Sequence, residues 1–357
     1  MKSETITTDI LIVGAGPAGA AAARELVGKG YRVLVVEKKK LPRYKVCSGL
    51  IMDRAQELLF EQFGTPPEDV FSRPFHLKGV RLCLSGRPPA DVPVGSKPIY
   101  NVWRSAFDHW LIRQSGAEIL ESHRLIDLRQ SESHVEAIIE GPGEEKLRAE
   151  RLARQRLRVK SSYLIGADGS RSSVRRLLDP GFERGLRYST FVQLYCSATI
   201  DLPQEYFHMI FGPGLSAFYT WLHVKDRHLV YGVAAHSGRL IPQCIRDSTE
   251  YLSRQFGLKV EAVERKTGCL VSNMALSGNF LIGRGRVLLA GEAAGYVNVF
   301  GEGISSALAT GNLAAHAIYD GESSGRHVFP LYSELSGKEQ RITTKSWEIA
   351  KSSGLRF

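Results

Sequence analysis

The chain predicts an α/β fold, α+β over its whole length: a parallel sheet assembled from distant segments, with a mostly antiparallel sheet inserted among them. Two observations carry this. Fully apolar short runs stand near the start (Ile10–Val13 and Val33–Val36), in the middle (Tyr163–Ala167) and near the end (Val287–Ala290). A strand that is apolar throughout belongs in a sheet covered on both faces. Between Leu186 and Val233, by contrast, the chain is rich in Tyr, Phe, Val and Thr, which suits several antiparallel strands. Interleaving the two patterns gives a discontinuous domain with a second one inserted.

The first segment, Asp9 to Glu37, has three parts. An apolar strand comes first, then glycines opening an Ala-rich helical stretch, then a second apolar strand that ends on an acid. Gly14, Gly16 and Gly19 fall at G-x-G-x-x-G spacing. The first makes the tight turn, the second admits a pyrophosphate against the backbone, and the third lets helix and strand pack closely. The phosphates then meet the free N–H groups and positive dipole end of the helix. Gly14-Ala15-Gly16-Pro17-Ala18-Gly19 is therefore read as an adenine dinucleotide site, with Glu37 aimed at ribose hydroxyls and Lys38 beside it.

Composition bounds the rest. A chain of 357 residues, 43% hydrophobic and 24% charged, suits a globular protein of two domains or one large domain with an insertion. No apolar run is long enough to span a bilayer, and MKSETITTD at the start carries no apolar signal segment, so a cytoplasmic protein is expected. The five scattered cysteines (Cys47, Cys83, Cys196, Cys244, Cys269) argue against a disulfide framework and a zinc site. The net charge of +10 concentrates between Lys146 and Lys160 and in the C-terminal tail. Solvated surface is one reading; a face meeting an anionic membrane or an acidic, reductant-type partner protein is the other. No recognition motif accompanies the charge, so nucleic acid is not expected as a partner. A monomer is expected.

The remaining elements follow in order. Pro42 and Gly49 mark LPRYKVCSGLIM as a loop. Asp53–Phe63 and Trp103–Ser115 show helical spacing, and Lys78–Val94 reads as short strands between turns. Leu125–Glu140 and Leu147–Lys160 alternate as exposed strands; Cys244–Phe256 and Ile304–Tyr319 read as helices, and Ser333 onward as a basic helical tail. The expected division is 1–75, 101–180 and 273–330 for the dinucleotide domain, 76–100 and 181–272 for the inserted one, and 331–357 for the tail.

Two later stretches repeat the theme of a strand delivering an acid to a glycine turn. YLIGADGSRSSVR brings Asp168 and Gly169, followed by Arg171 and Arg175. LLAGEAAGYVNVFGEGI brings Gly291 and Glu292, then a second turn at Gly301 and Gly303 that starts a helix at Ile304. With these in view the chain resembles the flavoprotein superfamily of p-hydroxybenzoate hydroxylase, and the resemblance runs over nearly the whole length. It implies FAD, held by the three turns, and a Rossmann-like FAD-binding domain. Glu292 stands where that superfamily usually has Asp, and keeps a carboxylate for the ribityl chain. Arg104, in NVWRSAFDHWL, matches the superfamily's R-x-x-F/L-D helix, which approaches the flavin; an ordinary surface pair of Arg104 and Asp108 is the alternative.

Finer features resemble the geranylgeranyl reductase family and its short bacterial CbrA-like branch. Pro42-x-Tyr44-x-x-Cys47-Ser48-Gly49 is similar to its P-x-x-x-x-C-G-G segment, Gly301-Glu302-Gly303-Ile304 to its G-E-G-I, and Tyr219-x-Trp221 with Gly232 to its lipid-site motif. His223, Val224, Ala234 and Val299 depart from that motif set. The resemblance implies reduction of C=C bonds in a prenyl or related apolar substrate, with Cys47 as proton donor or positioning group and FAD contacts from Cys47, Ser48, Gly49, Gly301, Gly303 and Ile304. Lys45 and Arg43 stand near Cys47 as charges able to favour its thiolate, while a small buried hydrophobe is the plainer reading. Tyr219, Trp221 and Phe211 form either a substrate wall or core. NADPH or a ferredoxin would supply electrons. A monooxygenase using NAD(P)H and O2, and a flavoprotein with a binding or sensing role, are the competing functions.

Overall fold

In a computed structural model the chain is described over residues 5–92, 95–142 and 155–352. Ile10–Val13 and Val33–Glu37 are buried along their whole length and pair in parallel, Ile10 opposite Val33. Tyr163–Gly166 adds to the other side of Ile10–Val13, and Val287–Leu289 lies beyond it. Glu118–Glu121 closes the far edge and the antiparallel Gly283–Arg284 the near one, making six strands. Segments over 150 residues apart thus share one sheet because each can be covered on both faces. The chain leaves Ile10–Val13 toward one side and returns on the other, which opens a crevice at the carboxyl ends of Ile10–Val13 and Tyr163–Gly166.

Helices Pro17–Gly28 and Ile304–Ser324 cover one face, and their small residues let them approach until a Cβ on Gly311 would strike the Ala18 carbonyl. A helix over Val328–Ser352 starts before the expected Ser333. It is not a solvated tail: Tyr332 is fully buried and donates its hydroxyl to Leu289 O at 2.8 Å, and buried Trp347 donates Nε1–H to Val297 O at 2.9 Å.

The inserted part is a seven-stranded sheet in the order Lys259–Ser272, Tyr188–Thr199, His228–Ala235, Thr220–Lys225, Tyr206–Phe211, Gly79–Leu84, Ala90–Val92. It is antiparallel except where Tyr206–Phe211 meets Gly79–Leu84. The period-2 rule divides its side chains. Leu194, Leu222, Val224 and Tyr231 face the helix Ile241–Phe256, while Phe191, Met209 and Trp221 pack on the other face with Leu77 and Ile99. That helix begins three residues earlier than Cys244, since Pro242 is tolerated in a first turn. The strand Lys259–Ser272 has no counterpart among the sequence expectations, because its charged edge residues do not alternate cleanly.

A four-stranded sheet joins Arg124–Gln130, Val135–Gly141, Gln155–Ser161 and Thr5–Thr7. The expected strand from Leu147 and the basic stretch from Lys146 lie outside the described residues as far as position 154. A small sheet of Leu50–Ile51, Ile99–Val102 and Phe71–Leu77 pins the loop that carries Cys47.

Candidate functional site

The site grows from the crevice. Gly14 has φ of 109° and sits so close to Ala167 that a Cβ would strike its carbonyl oxygen, which brings the first turn against the Asp168-Gly169 turn. Gly19 packs on the Gly14 carbonyl in the same way, so helix and strand meet as the motif requires. Ala18 faces Gly291, which joins the third turn to the first two. Glu37 is buried and already engaged: its Oε2 accepts from Ala15 N–H at 3.1 Å and pairs with Arg43 Nε at 3.1 Å, and its Oε1 accepts from Lys39 N–H at 3.1 Å. Lys38 is exposed beside it.

Asp168 Oδ2 caps the helix Ser173–Leu178, accepting from Ser173 N–H at 2.6 Å and Ser173 Oγ at 2.7 Å. Its Oδ1 is buried with no hydrogen-bond partner. Arg175, fully buried, donates from Nη2 to Ser170 O at 2.6 Å and from Nη1 to Ala293 O at 2.8 Å, tying the second turn to the third. The sequence displayed Arg175 without revealing this role. Glu292 Oε2 lies 3.8 Å from Lys45 Nζ and 3.9 Å from where a Cβ on Gly169 would stand.

At the third turn, Asn298 Oδ1 accepts from the N–H groups of Phe300 and Glu302, both at 3.0 Å, and Glu302 accepts from Ser305 N–H at 2.8 Å. Glu302 therefore caps the helix that begins at Ile304, and the N–H groups of Gly303 and Ile304 keep no partner among the described residues. A Cβ at Gly301 would meet nothing within 4 Å. The unpartnered carboxylate oxygen of Asp168, the open space at Gly301 and the free N–H groups of Gly303 and Ile304 fit a bound FAD, with the Arg43 guanidinium standing against Gly16.

Opposite this cradle stands a buried charge cluster. Arg104, at the start of the helix Arg104–Arg113, holds Asp108 with Nε–Oδ1 at 2.7 Å and Nη2–Oδ2 at 2.9 Å, and Arg43 Nη1 takes the same Oδ2 at 2.9 Å. It is a buried pair, not a surface one. Burial works against the charge of Arg104, but Asp108 and then Cys47 outweigh it and raise the pKa. Burial likewise works against Asp108, and Arg104 followed by Arg43 outweighs it, holding the carboxyl below the usual range. The Cys47 thiol lies against Arg104 and accepts from Gly49 N–H at 3.3 Å. Ser48 Oγ accepts from Gln193 Nε2 at 3.2 Å, which fastens the Cys47 turn to the large sheet.

Tyr219, Trp221 and Phe211 form one aromatic group, with Tyr219 5.7 Å from Phe211 and 5.9 Å from Trp221 between ring centres. Tyr219 donates its hydroxyl to Phe300 O at 2.7 Å, so the group abuts the third turn. Burial, and then the nearby Cys47, raise the Tyr219 pKa. A cavity of about 450 Å³ opens next to this wall, lined by Phe191, Phe218, His236, Arg187, Trp347 and Gly301 among others. Phe218 and Phe191 line it, whereas Tyr219, Trp221 and Phe211 stand outside that lining. Among the histidines, His223 is fully buried with both ring nitrogens unpartnered, and burial followed by the Lys225 charge lowers its pKa well below the ordinary value. His236 is exposed and packs on Phe218, ring centres 6.0 Å apart. Among the described residues no His, Cys, Asp and Glu group is placed to hold a metal, and no helix is long and apolar enough to cross a membrane.

The chain matches the model of the FAD binding domain family over residues 7–209, more than half its length. Protein CbrA of Escherichia coli strain K12 is 27% identical over 311 residues, covering 84% of this chain and 81% of that protein. Protein CbrA of Shigella sonnei is 27% identical over 360 residues, covering 98% and 90%. The solved geranylgeranyl bacteriochlorophyll reductase-like protein of Thermoplasma acidophilum shares the fold at a TM-score of 0.77 and 19% identity, covering 98% of this chain and 87% of that one. So does the flavin-dependent brominase Bmp2, at 0.71 and 19%, covering 98% and 88%. The p-nitrophenol 4-monooxygenase PnpA of Pseudomonas putida DLL-E4 follows at 0.70 and 18%, covering 99% and 90%. One fold thus serves proteins named for reduction, bromination and oxygenation, and the choice among them falls to the residues of the site.

Proposed function

We propose that this chain, which belongs to the FAD binding domain family of flavin-dependent oxidoreductases, reduces C=C bonds of a prenyl or related apolar substrate. The observation that carries the reading is the position of Cys47: its thiol lies against Arg104 and accepts from Gly49 N–H, on a turn fastened to the large sheet through Ser48 and Gln193. FAD, when bound and reduced, supplies the hydride. Gly14, Gly16, Asp168, Glu292, Gly303 and Ile304 hold the cofactor in this reading. Reduction adds a hydride to one carbon and a proton to its neighbour, and Cys47 gives that proton and is left as a thiolate facing Arg104. The cavity of about 450 Å³ beside the aromatic group receives the substrate in this reading, with Phe191, Phe218 and Trp347 as its apolar contacts.

NADPH or a ferredoxin is the proposed electron source, and the excess of basic residues gives a face for an anionic membrane surface or an acidic reductant protein. The test is product analysis. Incubation of the reduced protein with polyprenyl lipids and quinones, in the absence of oxygen, is expected to give a product heavier by two hydrogens. A product formed only with oxygen, and carrying an oxygen atom, would overturn the reading in favour of a monooxygenase; no product in either case would favour a binding or sensing role.

A further inference from the structure

The inner face of the large sheet carries a lysine where an apolar residue would be expected. Lys225 follows Trp221 and His223 at alternate positions of the strand Thr220–Lys225, so it points with them, and it is 1% exposed. It makes no ion pair among the described residues. Its Nζ donates to Asn101 Oδ1 at 2.7 Å, Val102 O at 2.7 Å and Ser72 Oγ at 3.3 Å, with the Trp103 ring centre 5.1 Å away. Three acceptors match the three N–H donors of an ammonium. Burying an ammonium costs several kcal/mol even when it is hydrogen-bonded, so packing alone favours Leu or Met here.

The bond to Val102 leads directly to the Cys47 turn. Val102, which accepts from Lys225, donates its own N–H to Gly49 O at 2.8 Å. Gly49 has φ of 69° and comes so close that a Cβ would strike Val102 O and stand 3.1 Å from Lys225 Nζ. Gly49 in turn donates to Cys47 Sγ. The charged and titratable groups facing Lys225 are Cys47 on the turn, Arg104 on its helix, His223 on the same strand and Asp226 just after it. Asp226 is occupied, accepting from Arg73 N–H and Trp103 Nε1–H, both at 2.7 Å.

We propose that Lys225 is a positioning residue for Cys47: its ammonium clamps the bridge between Val102 and Gly49 and, together with Arg104, surrounds the thiol with positive charge. This rests on the reading of Cys47 as a working group, and extends it to a residue 178 positions away in the chain. Burial lowers the Lys225 pKa to about 7 from its ordinary 10.5, with Cys47 and Asp226 opposing that shift and Arg104 adding to it. The clamp is therefore complete below that value and loses a donor and its charge as pH rises through it.

Alkylation of Cys47 by iodoacetamide, followed peptide by peptide with mass spectrometry in the purified protein, tests this without any turnover. In Lys225→Met the Cys47 peptide is expected to react about tenfold more slowly near pH 6.5, because a positive charge beside the reacting sulfur is lost. An unchanged rate in a variant that still folds, as shown by a cooperative thermal transition, would overturn the proposal. Should that variant not fold, the wild-type protein decides. The logarithm of its rate is expected to climb with less than unit slope between about pH 6 and about pH 8, because the ammonium beside the sulfur is lost over that range. Unit slope throughout that range would overturn the clamp. Neither result depends on the substrate, so a failed reductase assay leaves this outcome readable on its own.

Discussion

Around Gly14 the chain builds its site from near neighbours: strand, turn, helix and closing acid all lie between Ile10 and Glu37. Around Cys47 it does the reverse. Ser48 is held by Gln193, 145 positions away, and Lys225 reaches Asn101 across 124. The first region relies on backbone shape, with glycines where side chains would collide. The second relies on buried polar side chains joined to a few specific partners, as Lys225 is to Asn101, Val102 and Ser72. Shape tolerates changes in surrounding chemistry, whereas a buried polar network loses a whole desolvation cost when one partner goes.

That difference can be probed by breaking each region in turn. Gly14→Val is expected to have the largest effect, since it combines a positive φ with a clash against Ala167 O; the protein should purify without flavin, as read from the ratio of flavin to protein absorbance. Arg104→Met leaves Asp108 buried with only Arg43, and should lower the urea-derived stability by about 3 kcal/mol while disturbing Cys47. Cys47→Ala should keep the flavin bound and slow turnover about 100-fold, the loss of a general acid. Wild-type turnover in that variant would remove Cys47 from the mechanism.

The last effect is on pH dependence, and it is gradual. Folding lowers the Lys225 pKa, so the unfolded chain holds that proton more tightly than the native one. The cost of burying the charge is fully present below about pH 7 and is relieved as pH rises toward the ordinary lysine value. Wild-type stability relative to Lys225→Met should therefore increase by about 1.4 kcal/mol per pH unit above pH 7. Parallel stability curves for the two proteins would contradict the buried, shifted ammonium.

The same contrast explains what was legible in the sequence. Ile10–Val13, Val33–Glu37 and Tyr163–Gly166 announce themselves because a doubly covered strand must be apolar throughout, and the glycine spacing is a local signal. The strand Lys259–Ser272 was hidden because an exposed, charged edge carries no such pattern. Lys225 escaped because the motif reading ended at His223 and Val224, and a lysine at the end of a strand looks like a solvated one. Arg175 was visible beside Asp168, but its bond to Ala293 O spans 118 positions and leaves no trace in spacing. The C-terminal helix seemed a tail because its basic residues mask the buried Tyr332 and Trp347.

The central claim is that reduced flavin in this protein gives its electrons to an apolar double bond and not to oxygen. It is tested most directly by reducing the purified flavoprotein anaerobically, mixing it with a polyprenyl lipid and following the flavin absorbance with time. Reoxidation driven by the lipid alone, faster in the wild type than in Cys47→Ala, is the predicted result. A flavin that stays reduced until oxygen is admitted, whatever lipid is present, would contradict it.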